Sequence, residues 1–107
     1  MDDLLTQRCR ALTGEPAMSE EDVSRALARL SGWSVVDGML HKRYAFADFD
    51  RTMAFVNAVA WIAHQEDHHP DLIVGYSACT VRWATHSVGG LSINDFICAA
   101  KVDALLG

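Results

Sequence analysis

Three of the five histidines in this chain fall inside one stretch, HQEDHHPDL, residues 64–72. Imidazole titrates near neutral pH, at about 6.5 when unperturbed, so such a cluster suits either proton transfer or metal binding. His64 and His68 are four apart, which on a helix puts both rings on one face and gives the spacing of a two-histidine metal site. The sequence HQEDH is nevertheless not H-E-x-x-H, because Gln65 follows the first histidine. A catalytic zinc would need a third ligand, which His69 or His86 could supply. The plainer alternative is a solvated helix C-terminus, where the dipole favours histidine. His69 lies about 100° round from His68 if the helix extends that far, so one ring could face a pocket while the other braces it. Pro70 stiffens the turn that follows. His86 closes the run TVRWATH just before Gly89-Gly90, at a strand end leading into a flexible loop, where binding residues are often found. His41 has no spacing relation to the others. Asp95, at N3 of the last predicted helix, is sufficiently explained as a cap.

The elements that carry these residues follow from pattern and punctuation. SEEDVSRALARLSG predicts a short amphipathic helix: Ser19 and Asp22 resemble a capping box, Val23, Ala26, Leu27 and Leu30 recur at helical spacing, and Gly32 ends the run. In WSVVDGMLHKRYAF, Asp37-Gly38 signals a two-residue hairpin between antiparallel strands, with Leu40, Tyr44 and Phe46 on one strand face. The stretch from Asp48 to His69 predicts a long helix capped by Asp48 or Asp50 and ended by Pro70. Its stripe is Phe49, Met53, Val56, Ala60 and Ala63, widened by Phe55, Val59 and Ile62, so it should be the most buried helix. LIVGYSACTVRWATH predicts a second strand pair with a turn near residues 75–78, in which Val81, Trp83 and Thr85 alternate with Thr80, Arg82 and Ala84. SINDFICAAKVDALLG predicts the last helix, capped by Ser92 with Asp95, its stripe being Ile93, Phe96, Ile97, Ala100 and Ala104. The order is α-β-β-α-β-β-α, an α+β fold in which a four-stranded antiparallel sheet carries three helices on one face. Residues 1–18 read as an N-terminal tail or loosely docked arm, and residues 19–107 as the domain.

Bulk properties narrow the partners. With 107 residues, half of them apolar, the chain fits one domain with one modest core. The net charge of −5 and the lack of a Lys/Arg run argue against nucleic acid and anionic membrane surfaces. No apolar run approaches the ~18 residues needed to span a bilayer, and MDDLLTQRCR does not resemble a signal peptide. The expectation is a cytoplasmic protein. Cys9, Cys79 and Cys98 are odd in number and widely spaced, without a C-x-x-C pair, so a disulfide framework is not expected.

The combination is more specific than its parts. Asp67-His68-His69-Pro70, then Tyr76, then Thr85-His86, Gly89-Gly90-Leu91-Ser92 and Asp95 resemble the signature of the pterin-4a-carbinolamine dehydratases. The upstream YAFADFDRTMAFV is also similar to that family, and the resemblance extends from about Trp33 to the C-terminus. It implies an antiparallel α+β fold, dimers or tetramers, no metal and no cofactor. The implied reaction is dehydration of a 4a-hydroxytetrahydropterin released by an aromatic amino-acid hydroxylase. His68 and His86 would transfer protons. His69 would hold the pterin and could also act as base, with Pro70 and Thr85 as further substrate contacts and Asp95 as a possible orienter of His86. Two positions depart from the family pattern: His64 stands where an acidic residue is common, and Leu72 where an aromatic is common. Two alternatives stand beside this reading, a non-catalytic pterin-binding or protein-interaction module of the same fold and a small metalloenzyme built on His64, His68 and His86.

Overall fold

The computed structural model describes residues 3–107. Three helices, α1 (Glu20–Leu27), α2 (Phe49–Glu66) and α3 (Ile93–Ala104), accompany four strands, β1 (Ser34–Val36), β2 (Met39–Ala45), β3 (Asp71–Val74) and β4 (Ala78–Trp83). The order is the α-β-β-α-β-β-α expected from the sequence. The strands form one sheet in the order β1-β2-β4-β3, antiparallel throughout. Each hairpin contributes one inner and one edge strand, and α2 carries the chain from the first hairpin to the second.

Local chemistry sets the boundaries. Asp37 and Gly38 both adopt positive φ, 51° and 76°, as the tight β1–β2 turn requires. Ser19 accepts from the Asp22 amide and Asp48 from the Arg51 amide, so each helix start gains a partner for an otherwise orphaned N–H. Ser92 and Asp95 form a reciprocal capping box at α3.

The core lies between the sheet and the helices. Leu40 and Tyr44 of β2 and Cys79, Val81 and Trp83 of β4 point into it, alternating with less buried neighbours. Phe55, Val59 and Ile62 of α2 meet them, with the Tyr44 and Phe55 rings 4.6 Å apart. Each such side chain contributes about 1.5–3 kcal/mol by leaving water.

Two expectations about the helices are corrected. The buried stripe of α2 is Thr52, Phe55, Val59, Ile62, Ala63 and Glu66, whereas Phe49 and Ala60 are exposed. The most buried helix is α3: Phe96, Ile97, Cys98, Ala99 and Val102 are all inaccessible or nearly so, although Ala104 of its predicted stripe is exposed. The reason is the N-terminal segment, which covers a face of α3 that would otherwise meet solvent. A 3-10 turn at Leu4–Thr6 packs on α3, and Leu4 and Leu12 are both buried. Glu66, buried at the end of α2, accepts from Arg8 Nε (2.9 Å) and from the Cys9 amide (2.8 Å). Among the described residues no helix is long and apolar enough to cross a membrane.

Candidate active site

The histidine-rich stretch begins where α2 ends, and how it ends decides where the rings go. The helix stops at Glu66, three residues before His69, because Asp67 turns left-handed (φ 49°, ψ 44°). The His68 amide then donates back to the Ala63 carbonyl at 3.2 Å, a Schellman-type reversal with Asp in the position glycine usually takes. His64 and His68 are therefore not on the one helical face expected from their spacing, and the alternative of a two-histidine helical metal site loses its geometry. His64 is exposed and lies against Trp61, with ring centroids 5.5 Å apart.

The reversal sends His68 inward. Its ring stacks on the buried Trp83 at 5.4 Å and 12°. Its Nε2 lies 2.6 Å from Asp95 Oδ1, and the Asp95 side chain is completely inaccessible. Asp95 Oδ2 accepts two further bonds, from the Thr85 hydroxyl (2.9 Å) and the Ser92 amide (2.9 Å). Three donors thus converge on one buried carboxylate, the arrangement that satisfies an ionised group. The proton positions follow by counting. Thr85 spends its only hydroxyl proton on Asp95, so Ser92 Oγ, 2.6 Å away, must donate to Thr85. Nε2 of His68 faces an acceptor, so it carries the proton, and a neutral ring keeps its lone pair on Nδ1.

A cavity of about 330 Å³, the size of a small heterocycle, adjoins this network. Glu66, Asp67, His68, Thr85, Ser87 and Asn94 line it together with residues 9–13. His69 and His86 are exposed and are not among the lining residues. Each is the chain neighbour of one that is: His69 follows His68, and His86 stands between Thr85 and Ser87. His86 opens a 3-10 turn, His86–Val88, clipped by the Thr85–Gly90 bridge. Pro70 follows His69, is half-buried, and leads directly into β3. The structure therefore gathers His68, Thr85 and Asp95 into one hydrogen-bonded unit and leaves His69 and His86 beside it. The partner of Asp95 is His68 rather than His86.

A larger, more open groove of about 1010 Å³ lies between the Leu4 turn, the residues after α1 and the end of α3. None of the described residues lining it is a histidine. Among the described residues no group of three or more His, Cys, Asp or Glu side chains is placed to hold a metal ion.

Sequence reasoning missed three contributors. Trp83 was legible as a core residue but not as the surface His68 stacks on. Glu66 continues the buried stripe of α2 four residues after Ile62, and a carboxylate at such a position was the available signal. Asn94, buried beside Asp95, gave none.

Fold and site together define an α+β protein in which a carboxylate-held histidine stands at a cleft of small-molecule size. The sequence model described as pterin 4 alpha carbinolamine dehydratase matches residues 16–105, and the chain belongs to that family. A protein of Nitrosospira multiformis provisionally named pterin-4-alpha-carbinolamine dehydratase is 50% identical over 106 residues, 98% of this chain and 94% of that one. A protein of Nitrosomonas eutropha with the same provisional name is 50% identical over 97% of this chain and 94% of its own. Among solved structures, a transcriptional coactivator/pterin dehydratase from Brucella melitensis superposes with a TM-score of 0.81 at 32% identity, covering 85% of this chain and 99% of that one. A pterin dehydratase-like RuBisCO assembly factor of the alpha-carboxysome superposes with a TM-score of 0.58 at 29% identity over 70% of this chain and 87% of that one.

Proposed function

We propose that the chain dehydrates a 4a-hydroxytetrahydropterin to quinonoid dihydropterin and water by histidine acid–base catalysis. The observation that carries this reading is the His68–Asp95 pair, 2.6 Å apart, stacked on Trp83 and facing the cavity. In the reaction the C4a–O bond breaks, the hydroxyl takes a proton and leaves as water, N5 loses its proton, and the C4a=N5 double bond forms. One acid and one base suffice, and no electrons are gained or lost. With Nε2 committed to Asp95, Nδ1 is the nitrogen His68 offers to substrate. His86, at the rim, supplies the second proton relay, and His69, with Pro70 and Thr85, holds and orients the flat ring. Such dehydration would serve tetrahydropterin recycling for an aromatic amino-acid hydroxylase in the cytoplasm. The sheet face away from the helices, which includes the half-exposed Ile73, would be covered by a second copy in a dimer or tetramer.

Kinetics on single and double variants test the division of labour. His68→Ala and His86→Ala should each lower kcat by up to about 10²-fold, and the pair together by much more. His69→Ala should raise KM as well. His64→Ala, whose ring rests on Trp61 outside the cavity, should stay within about threefold of wild type, since a group outside the site adds nothing to the transition state. If His64→Ala is the most damaging, or His86→Ala matches wild type, the assignment is wrong. The resemblance to a dehydratase-like assembly factor supports a second reading, an interaction module that binds pterin without turning it over. Binding with no turnover in the wild type would favour that reading.

A further inference from the structure

The cavity beside His68 has a wall that the family match does not cover. Cys9, Arg10, Ala11, Leu12 and Thr13 line it together with His68, and all five precede residue 16, where the match begins. They are held there by side chains from the body of the domain. Asn94, the neighbour of Asp95 and itself buried, grips the backbone of Arg10 from both directions. Its Oδ1 accepts from the Arg10 amide at 3.2 Å, and its Nδ2 donates to the Arg10 carbonyl at 2.8 Å. Glu66 receives the Cys9 amide, and the Cys9 and Cys98 sulfurs are 3.5 Å apart. The Arg10 guanidinium pairs with Glu15, at 2.8 and 3.3 Å, on the exposed side of this segment.

We infer that residues 9–13 are the closing wall of the substrate cleft, and that Asn94 is the positioning residue that sets the wall against the ring of the bound pterin. The inference rests on the dehydratase reading above and names what that reading leaves open, namely what covers the side of the pterin away from His68. The division follows from the fold. Asp95 and Asn94 are consecutive residues at the start of α3: one holds His68 and the other holds the backbone of Arg10, and both of these line the same cavity. A wall contacts substrate and transition state alike, so losing it raises KM and leaves kcat nearly unchanged, whereas losing a proton-transfer group lowers kcat.

The test uses the full chain and two variants. Asn94→Ala removes the double grip on Arg10 and keeps the residue's own amide bond to Ser92 Oγ. Thr13→Trp leaves the body of the domain untouched and puts a bulky indole at an exposed position on the arm that lines the cavity. Two quantities are measured on each: steady-state kinetics with the carbinolamine, and calorimetric binding of 7,8-dihydrobiopterin, a stable isomer of the product type. Both variants should raise KM and Kd by about tenfold or more, with kcat within about twofold. A wild type that turns over substrate while both variants keep its KM and Kd overturns the wall and leaves the dehydratase reading standing. A wild type that neither binds nor turns over the pterin overturns both. Should Asn94→Ala fold poorly, Thr13→Trp decides alone, because a bulky side chain outside the substrate's path would leave KM and Kd at their wild-type values.

Discussion

Asp95→Asn is the most informative single change, because it keeps size and shape and alters only which atoms carry protons. In the native site the carboxylate accepts from His68 Nε2, Thr85 Oγ1 and the Ser92 amide. An asparagine in the same place has one oxygen and one NH₂. The oxygen can satisfy Ser92 and Thr85 only if it takes the Oδ2 position, and the NH₂ then faces His68 Nε2. Two donors cannot share that contact, so the neutral ring shifts its proton to Nδ1 and presents a donor where substrate needs a lone pair. The loss in kcat should be about 10²-fold or more, the usual worth of one positioned acid–base group. Stability should fall by roughly 1–2 kcal/mol as charge-assisted bonds become neutral ones. At roughly 4–8 °C per kcal/mol for a domain near this size, Tm should drop but the fold should survive. Asp95→Ala would instead strand three buried donors at about 1–3 kcal/mol each, a large part of the ~5–15 kcal/mol a domain has, and would confuse unfolding with lost catalysis. The assays are steady-state kinetics at matched folded fraction and ¹⁵N NMR of the His68 ring. A variant within threefold of wild type in kcat would refute the reasoning, as would lost activity with the proton still on Nε2.

Three further outcomes follow from the same contacts. Stability should decline as pH rises above about 8.5, the ordinary thiol range. Cys98 is pushed up by its hydrogen bond with Cys9 and by burial, Cys79 by burial, and Tyr44 by burial and its bond to Asp103, so each favours folding while protonated and loses that contribution as its unfolded counterpart ionises; urea midpoints at pH 8 and pH 10 measure it, and equal midpoints would contradict it. Trp83→Ala should cost about 3–5 kcal/mol in urea unfolding and also loosen His68, whereas a loss below 1 kcal/mol would mean the core is not centred there. Turnover should persist after dialysis against EDTA, because Nε2 of His68 is already taken by Asp95; activity lost to EDTA and restored by zinc would replace the acid–base account with a metal one.

How much of this was legible in sequence depends on range. Hairpin, caps and strand alternation depend on near neighbours, so Asp37-Gly38, Asp48, Ser92 and the Val81–Trp83–Thr85 face could be read directly. The resemblance supplied the site residues as a set but not their pairing. Asp95 was legible as a cap because capping is local; its bond to His68 joins residues 27 apart and depends on α2 ending at Asp67 rather than at Pro70. The expected helical face for His64 and His68 failed for the same reason: a left-handed Asp67 is a tertiary outcome that the type of residue 67 only permits. The N-terminal segment read as a tail or loosely docked arm because its sequence shows no helical or strand periodicity. What holds it is supplied by Glu66 and Asn94, buried polar residues far along the chain.

The central claim is that this chain speeds the loss of water from a 4a-carbinolamine. The most direct measurement generates that carbinolamine with a phenylalanine hydroxylase and follows quinonoid dihydropterin formation with and without the purified protein. The account predicts a rate well above buffer that is abolished in the His68→Ala, His86→Ala double variant. A wild-type rate equal to buffer, with or without added metal, would contradict it.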